Sequence, residues 1–330
     1  MKTEQVAFIR AEGLSKRYIR RVKPESGGLS RPWRREKQRV DALTNVSFQV
    51  ERGELLGLIG PNGAGKSTTV KLLSGILTPS AGRCVVDGRV PWEERREHVR
   101  GLGAVFGQRA QLWWDVPIRD SFALLRDVYG LARDAWHRRL EELTDALDLE
   151  GLMETPLRQL SLGQRMRAEL CGSLLHEPKL LFLDEPTIGL DAVSKLKLRN
   201  FLREENRRRG TTILLTTHDM EDMLALCARV MVLGHGRLLY DGALDSLLRR
   251  YDTERTLRCR FEGDTRWEAL PPGVRLELDG EESVLTYAPD QTPMEALLHA
   301  VMSAGRVREL TLKQQNTDAV IARMYEEMRL

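Results

Sequence analysis

A glycine-rich loop between an apolar run and a helical pattern constrains the fold of this chain most strongly. GELLGLIG (53–60) is a continuous apolar run that ends in glycine, and STTVKLLSGI (67–76) carries apolar residues at helical spacing. The segment that joins them, GPNGAGKST (60–68), matches the pattern GxxxxGK[ST]. A strand, this loop and a helix in that order predict an α/β fold with a site for phosphate groups, because the glycines let backbone N–H groups surround an anion.

Residues 60–68, which we call the phosphate loop, are expected to bind a nucleotide. Lys66 is expected to reach the terminal phosphates, and the Ser67 hydroxyl can ligate Mg²⁺. The residues expected to contact the nucleotide are Gly60, Pro61, Asn62, Gly63, Ala64, Gly65, Lys66, Ser67 and Thr68. The sequence therefore predicts a nucleotide and a magnesium ion as ligands of this loop.

A pair of acidic residues follows another apolar run, LLFLDE (180–185). A metal at the phosphate loop needs a carboxylate from the end of a neighbouring strand, and Asp184 is expected to supply it. Glu185, the next residue, is expected to orient and deprotonate the attacking water. Two acids after a strand can also form a solvated turn, but the phosphate loop favours the catalytic interpretation.

Alternation of short apolar runs with helical patterns indicates the fold class. KLLFLD (179–184) and TTILLTT (211–217) are two further strands, separated by a helical pattern that ends at Gly210. Such alternation predicts a mainly parallel sheet covered by helices on both faces. From Pro117 to about Gln159 the pattern is helical only, which predicts a helical insertion at about 115–178.

The pattern changes near the end of the chain, and we divide it into a domain at 1–252 and a small α+β domain at 253–330. VMVLGHGRLLYDG (230–242) resembles a hairpin, after which alternating strands and two helical patterns follow. The second domain carries no acid/base or metal-binding constellation in its sequence. We therefore expect it to be structural or regulatory and to pair with its copy in a dimer.

Charge and hydropathy limit the classes of partner that the sequence indicates. The longest apolar runs fall far short of the roughly 20 residues that span a bilayer, and the four cysteines contain no CxxC pair. The net charge of +3 does not indicate nucleic acid as a partner. Basic residues are concentrated between Lys16 and Arg39, which is either a solvated loop or a surface near anionic lipids or an acidic partner.

Several further motifs carry a resemblance to a known family. In order, the chain contains GPNGAGKST, VFGQ, LSLGQ, LLFLDEPT, GLD and LLTTH. Over about residues 6–245 it resembles the ATP-binding subunit of a bacterial ABC transporter, and FGQRAQLWWD, LSLGQRMRAEL and DEPTIGLD resemble the branch that works with separate, export-type permeases. The resemblance implies a P-loop NTPase core with an antiparallel β subdomain beside the parallel sheet.

The resemblance also implies roles for residues outside the phosphate loop. Tyr18 is expected to stack on adenine, and Gln108 to reach Mg²⁺ or the attacking water. His218 is expected to donate a hydrogen bond to the γ-phosphate, although a lone histidine after a strand would usually be a packed core residue.

In this family two subunits pack head to tail, so that the LSLGQ segment of one completes the ATP site of the other. The resemblance therefore implies that Ser161, Gly163 and Gln164 contact the γ-phosphate of the partner's ATP through a helix start. Leu162 departs from the family pattern, where glycine is commoner. Asp191 in GLD is expected to contact the opposite subunit.

The expected function is ATP hydrolysis by a homodimer that drives export through integral membrane permeases of one kind or of two kinds. The chain would then lie peripherally on the cytoplasmic face of the membrane. Trp113 and Trp114 are either a docking surface for the permease or rings packed under the helical insertion. The alternatives are a soluble ABC-type ATPase that acts on ribosomes or DNA, and a regulatory ATPase that senses cargo.

Overall fold

A computed structural model describes residues 7–22, 36–106, 110–217, 219–251, 254–263, 265–267, 269–314 and 317–328. The strands in chain order are β1 (Ile9–Val22), β2 (Glu36–Val50), β3 (Leu55–Ile59), β4 (Ala81–Val86), β5 (Leu102–Phe106), β6 (Leu180–Asp184), β7 (Thr212–Thr216), β8 (Arg229–Gly234), β9 (Arg237–Ala243), β10 (Arg255–Glu262), β11 (Arg275–Asp279), β12 (Glu282–Tyr287) and β13 (Arg306–Gln314). The α-helices are α1 (Lys66–Leu73), α2 (Arg95–Arg100), α3 (Ile118–Tyr129), α4 (Arg133–Ala146), α5 (Leu162–Leu174), α6 (Ala192–Arg209), α7 (Met220–Leu226), α8 (Leu244–Tyr251), α9 (Met294–Ala304) and α10 (Thr317–Glu327).

The chain forms two compact units, Met1–Gly242 and Ala243–Leu330. The first is built around a six-stranded sheet with the order β5-β6-β7-β3-β8-β9. From β5 to β8 the neighbouring strands are parallel, and β3 and β7 are almost wholly buried. The mainly parallel sheet predicted from the apolar runs is confirmed, because strands without a polar face must be covered on both sides.

An antiparallel sheet with the order β2-β1-β4 lies in the same unit. It shares an apolar core with β3 and α1, formed by side chains such as Ile9, Leu43, Leu58 and Leu73. Pairing of β1 with β2 continues as far as Val22 opposite Glu36, so both ends of the basic segment are strand rather than loop. Residues 23–35, between those ends, lie outside the described residues.

The region predicted to be a helical insertion contains α3, α4 and α5, with two short 3₁₀ turns between α4 and α5. Gly130 ends α3 in the left-handed conformation, which glycine adopts without steric cost (φ 64°). Ile118 and Phe122 on α3 are fully buried, so the amphipathic face of this helix packs inward. Along the described residues, no helix is both long and apolar enough to cross a membrane.

The second unit contains a four-stranded antiparallel sheet with the order β11-β12-β10-β13. One face packs on α9 through a small apolar core that includes Leu257, Leu285 and Leu297. The unit begins at Ala243, earlier than the boundary expected from the sequence at 252/253, because α8 packs against α10 of the same unit.

Candidate functional site

The phosphate loop connects β3 to α1, and two of its glycines are required by close backbone contacts. A Cβ at position 60 would stand 2.3 Å from the carbonyl oxygen of Leu233, and one at position 65 would stand 2.8 Å from that of Ala42. Both glycines also have positive φ angles, 155° at Gly60 and 110° at Gly65. The loop is therefore wedged between β2 and β8, and its backbone shape allows no side chain at either position.

Lys66 is the first residue of α1 and folds back over the loop. Its ammonium group donates hydrogen bonds to the carbonyl oxygens of Gly60 and of Pro61, the latter at 3.1 Å. Partial burial lowers the pKa of Lys66, while the nearby carboxylates of Asp184 and Glu185 act in the opposite direction. The charge thus lies beside the space that the loop encloses, where an anion would stabilise it.

A cavity of about 290 Å³ lies beside the loop and brings three of the predicted residues together. Ser67 lines it from α1, and Asp184 and Glu185 line it from the end of β6. The remaining lining residues are Val70, Lys71, Ile76, Phe106, Phe182, Leu183, Ile188 and Thr216. A hydroxyl and carboxylates are hard oxygen donors of the kind that Mg²⁺ prefers, so this donor set fits the predicted ion.

Two threonines from β7 and the residue after it hold the acidic pair in place. The Thr216 hydroxyl donates to the Asp184 carboxylate, and the Glu185 amide donates to the Thr216 carbonyl oxygen at 2.8 Å. The Thr217 hydroxyl lies 3.4 Å from Oε2 of Glu185, to which it donates. Glu185 itself has a left-handed backbone with φ 55°. Sequence reasoning did not single out these threonines, although Thr216 ends, and Thr217 follows, the strand that lies beside LLFLDE.

Gln108 and His218 lie outside the described residues, so their predicted contacts stay predictions. The strands that precede them are described. β5 ends at Phe106, opposite Asp184, and β7 ends at Thr216, also opposite Asp184. Both residues therefore follow strands that flank the acidic pair.

Tyr18 lies on β1 opposite Val40 of β2, and its side chain is half-buried. The ammonium of Lys16 is 5.6 Å from the centroid of the tyrosine ring. β2 reaches the phosphate loop a few residues further on, at Ala42, whose carbonyl oxygen faces Gly65. The hairpin thus carries Tyr18 along a strand pair that borders the loop, and stacking on adenine stays a prediction.

The LSLGQ segment forms the start of α5 with a complete capping box. The Ser161 hydroxyl accepts the Gln164 amide N–H at 3.2 Å, and Oε1 of Gln164 accepts the Ser161 amide N–H at 2.9 Å. This reciprocal pair fixes the first turn of the helix. Ser161 is exposed, and neither residue lines the cavity at the phosphate loop.

Leu162 packs against the loop that contains GLD in its own chain. A Cβ at Gly189 would stand 2.5 Å from Cδ2 of Leu162, and a Cβ at Gly163 would stand 2.8 Å from Cδ2 of Leu190. Asp191 caps α6, since its carboxylate accepts the amide N–H of Ser194 at 2.9 Å and the Ser194 hydroxyl at 2.8 Å. These hydrogen bonds lower the pKa of Asp191. Asp191 therefore has a structural role within the chain, beside the intersubunit contact that the resemblance implies.

Comparison with known proteins agrees with the geometry. The family model described as ABC transporter matches residues 43–188. The Nod factor export ATP-binding protein I of Burkholderia lata is 37% identical over 272 residues, which cover 80% of this chain and 87% of that protein. The methionine import ATP-binding protein MetN of Geobacillus kaustophilus is 34% identical over 238 residues, which cover 70% of this chain and 69% of that protein.

A solved structure gives the same result for the fold. The structure of an ATP-binding subunit of an ABC transporter superposes with a TM-score of 0.62 and 26% identity, and covers 74% of this chain and 93% of its own. The resemblance drawn from the motifs and the fold class are confirmed. The chain therefore belongs to the ABC transporter family, as an ATP-binding protein that hydrolyses ATP.

Proposed function

We propose that two copies of this chain close head to tail over two ATP molecules and thereby drive export through membrane permeases. One observation carries the proposal. Ser67, Asp184 and Glu185 line a single cavity beside the phosphate loop, whereas the capped helix start at Ser161 is exposed and does not line that cavity. A second copy can bring such a helix start to the outer side of the phosphates, where its positive end favours an anion.

Within each site the residues of this chain divide the work of hydrolysis. Lys66 binds the terminal phosphates, and Ser67 and Asp184 would hold Mg²⁺, which neutralises phosphate charge when bound. Glu185 accepts the proton of the attacking water. The Thr217 hydroxyl, 3.4 Å from Oε2 of Glu185, orients that carboxylate. The left-handed backbone of Glu185 departs from the extended conformation of β6, and the hydrogen bond from the Glu185 amide to the Thr216 carbonyl oxygen supports this turn.

Exposed apolar side chains between β5 and the end of α3 support a membrane partner. The Trp113 and Trp114 side chains are 43% and 48% exposed, so the two rings are not both packed under the helices. Val116, Leu124 and Val128 are also exposed large hydrophobic residues. Exposed aromatic and apolar side chains are typical of protein interfaces, and we propose that residues 113–128 dock a permease and keep the chain at the membrane.

Export is the direction that we propose. The relative named for export aligns over 272 residues and covers 80% of this chain, so the match extends past the first unit. The relative named for import covers 70%. Both are named as transport proteins, which favours transport over an ATPase that acts on ribosomes or DNA.

We propose a structural or regulatory role for the second unit. It has its own apolar core, made of side chains such as Leu257, Leu285 and Val301. Among the residues that the structure describes, no group of three or more histidine, cysteine or acidic side chains could hold a metal ion. Its pairing with a second copy stays a proposal as well.

A mixed-dimer experiment tests the proposed function. Ser161→Arg places a bulky cation at the helix start, and Lys66→Ala removes the phosphate-binding ammonium, so neither homodimer keeps an intact site. When the two variants are mixed, a head-to-tail dimer has one site with both lesions and one with neither. We expect hydrolysis to return in the mixture, measured as phosphate release. Ser161→Arg that still dimerises with MgATP in size-exclusion chromatography would contradict the arrangement.

A cis arrangement makes the opposite prediction for the same mixture. If the helix start served the ATP of its own chain, each site of the mixed dimer would carry one lesion and activity would not return. Direct titration with labelled ATP serves as the control. Ser161→Arg should bind ATP like the parent, whereas Lys66→Ala should bind it more weakly.

A further inference from the structure

Glu169 is a buried carboxylate on α5 that the ATP site does not use. Its side chain is 4% exposed, and its oxygens accept the amide N–H of Gln111 at 3.0 and 3.1 Å and that of Leu112 at 3.4 Å. Burial raises the pKa of Glu169, while the two amides favour its ionised form. A carboxylate that accepts backbone N–H groups away from water makes strong, charge-assisted hydrogen bonds.

The same face of α5 also contacts Leu112 and Trp114, in the chain segment that contains Gln111. Arg165 lies one turn before Glu169, and its guanidinium carbon is 5.3 Å from the centroid of the Trp114 ring. Gly172 lies one turn after Glu169, where a Cβ would stand 2.9 Å from Cδ2 of Leu112. Residues three and four apart share a helix face. Arg165, Glu169 and Gly172 therefore form one continuous surface of α5, against which residues 111–114 pack.

Other contacts connect the segment to the sheet and to α3. The Gln111 side-chain amide donates to the carbonyl oxygen of Ala104 in β5, and the Trp113 amide donates to the Ser121 hydroxyl at 3.2 Å. The segment therefore runs from the strand beside Asp184, across α5, to the helix that follows the tryptophans. Ser161 caps the N-terminus of α5, so this one helix carries the LSLGQ segment at its start and contacts residues 111–114 further along.

We propose that Glu169 is a positioning residue that couples the start of α5 to the segment Gln111–Trp114. When Ser161 engages the ATP of a second copy, α5 shifts as a rigid body, and the hydrogen bonds of Glu169 carry residues 111–114 with it. The exposed tryptophans then change position at the surface proposed to dock a permease. This role rests on the proposed head-to-tail dimer.

Hydrogen exchange of the Gln111 and Leu112 amides tests the coupling in the full-length protein. The parent is Glu185→Gln, in which we expect bound MgATP to be hydrolysed very slowly, and the second protein adds Glu169→Gln. The isosteric amide keeps the volume of the side chain but loses the negative charge and presents an NH₂ group to the backbone donors. We expect these amides to exchange at least about tenfold faster in Glu169→Gln than in the parent, both without nucleotide. Glu141→Gln, an exposed carboxylate on α4, is the matched control and should leave exchange unchanged.

Addition of MgATP separates coupling from local stability. In the parent, MgATP should change the exchange of these amides and the tryptophan fluorescence. In Glu169→Gln, that change should be lost at 111–114, while ATP affinity and ATP-driven dimerisation in size-exclusion chromatography stay at parental values. Exchange equal to the parent without nucleotide, an undiminished response to MgATP, or loss of ATP affinity in Glu169→Gln would each overturn the proposal.

Measurements on the Glu185→Gln parent distinguish a failure of the coupling by Glu169 from a failure of the head-to-tail dimer. A parent that binds MgATP but stays monomeric would overturn the head-to-tail dimer, and with it the coupling. A parent that dimerises without any change at residues 111–114 would overturn the coupling alone. Arg165→Ala provides a second variant, in which the response of the total tryptophan fluorescence to MgATP should weaken while the Gln111 backbone amide keeps its protection from exchange.

Discussion

The phosphate loop and the start of α5 are the two regions proposed to contact the phosphates of ATP, but the chain holds them in place differently. The loop is enclosed by β2 and β8, so that a Cβ at Gly60 or Gly65 would meet backbone oxygens within 3 Å. The start of α5 is exposed, and its first turn is held by its own capping box between Ser161 and Gln164. The first region depends on contacts with distant strands, whereas the second depends on local hydrogen bonds.

This difference predicts which positions can accept a larger side chain. A side chain at the loop glycines has no space, since the obstacle is backbone that cannot rotate away. Leu162, in contrast, occupies a position where the family commonly has glycine, and its side chain lies against Gly189 of the same chain. The helix start thus accepts a larger residue because that residue packs within the subunit. We expect mutations in the loop to have larger effects than mutations at Leu162.

Replacement of the proposed general base should have the largest effect. Glu185→Gln keeps the shape of the side chain but cannot accept the proton from water, so turnover should fall by ~10²- to 10⁴-fold. MgATP binding should persist and trap a dimer, in which the phosphate loop of one copy stays close to the α5 start of the other. Phosphate release and size-exclusion chromatography measure the two results. Glu177→Gln is a matched control, since Glu177 also has a left-handed backbone, with φ 52°. Turnover near the parental rate in Glu185→Gln would show that another group is the base.

A methyl group in the loop should have the next largest effect. Gly65→Ala places a Cβ 2.8 Å from the Ala42 carbonyl oxygen at a φ of 110°, so the loop must move before it can surround phosphate. Such strain costs ~1–3 kcal/mol, which corresponds to an ATP affinity ~5- to 150-fold weaker. Isothermal titration with MgATP measures the change.

A second glycine separates backbone strain from the collision. Gly88 has a similar positive φ of 78°, but nothing lies within 4 Å of a Cβ there. Gly88→Ala should therefore lower stability slightly and leave ATP affinity unchanged. Equal ATP affinity in Gly65→Ala and the parent would show that the loop is less confined than the structure indicates.

Local patterns in the sequence were sufficient to predict the loop and the acidic pair. GPNGAGKST and LLFLDE each place the residues predicted to be functional within a few positions of a strand, so short-range patterns were enough to select residues that line one cavity. Thr216 and Thr217 were missed because their contacts with Asp184 and Glu185 depend on which strands become neighbours. Pairing of β6 with β7 joins residues that are far apart in the chain.

Two other features needed the three-dimensional fold for the same reason. The sequence assigned α8 to the first domain, but its buried residues Leu244, Leu247 and Tyr251 belong to a unit in which α8 packs on α10. Glu169 reads as one acid on a helix until its carboxylate is seen to accept the amides of residues 111 and 112. Amphipathic patterns indicate that a helix has a buried face but not which element covers it.

Leu162→Gly should have the smallest effect, and it tests directly whether the start of α5 tolerates a change of side chain. The change restores the residue that is commoner in the family and removes a side chain that is 42% exposed and packs on Gly189. Glycine in the first turn costs at most ~1 kcal/mol of helix stability, so turnover should stay within about threefold of the parent. Thermal unfolding and phosphate release measure the two effects.

Leu162→Ala separates the two effects, because alanine removes the contact with Gly189 but keeps the helix propensity. A loss of turnover greater than about tenfold in both variants would show that the Leu162 side chain itself acts at the ATP site, and that the start of α5 is as restricted as the phosphate loop.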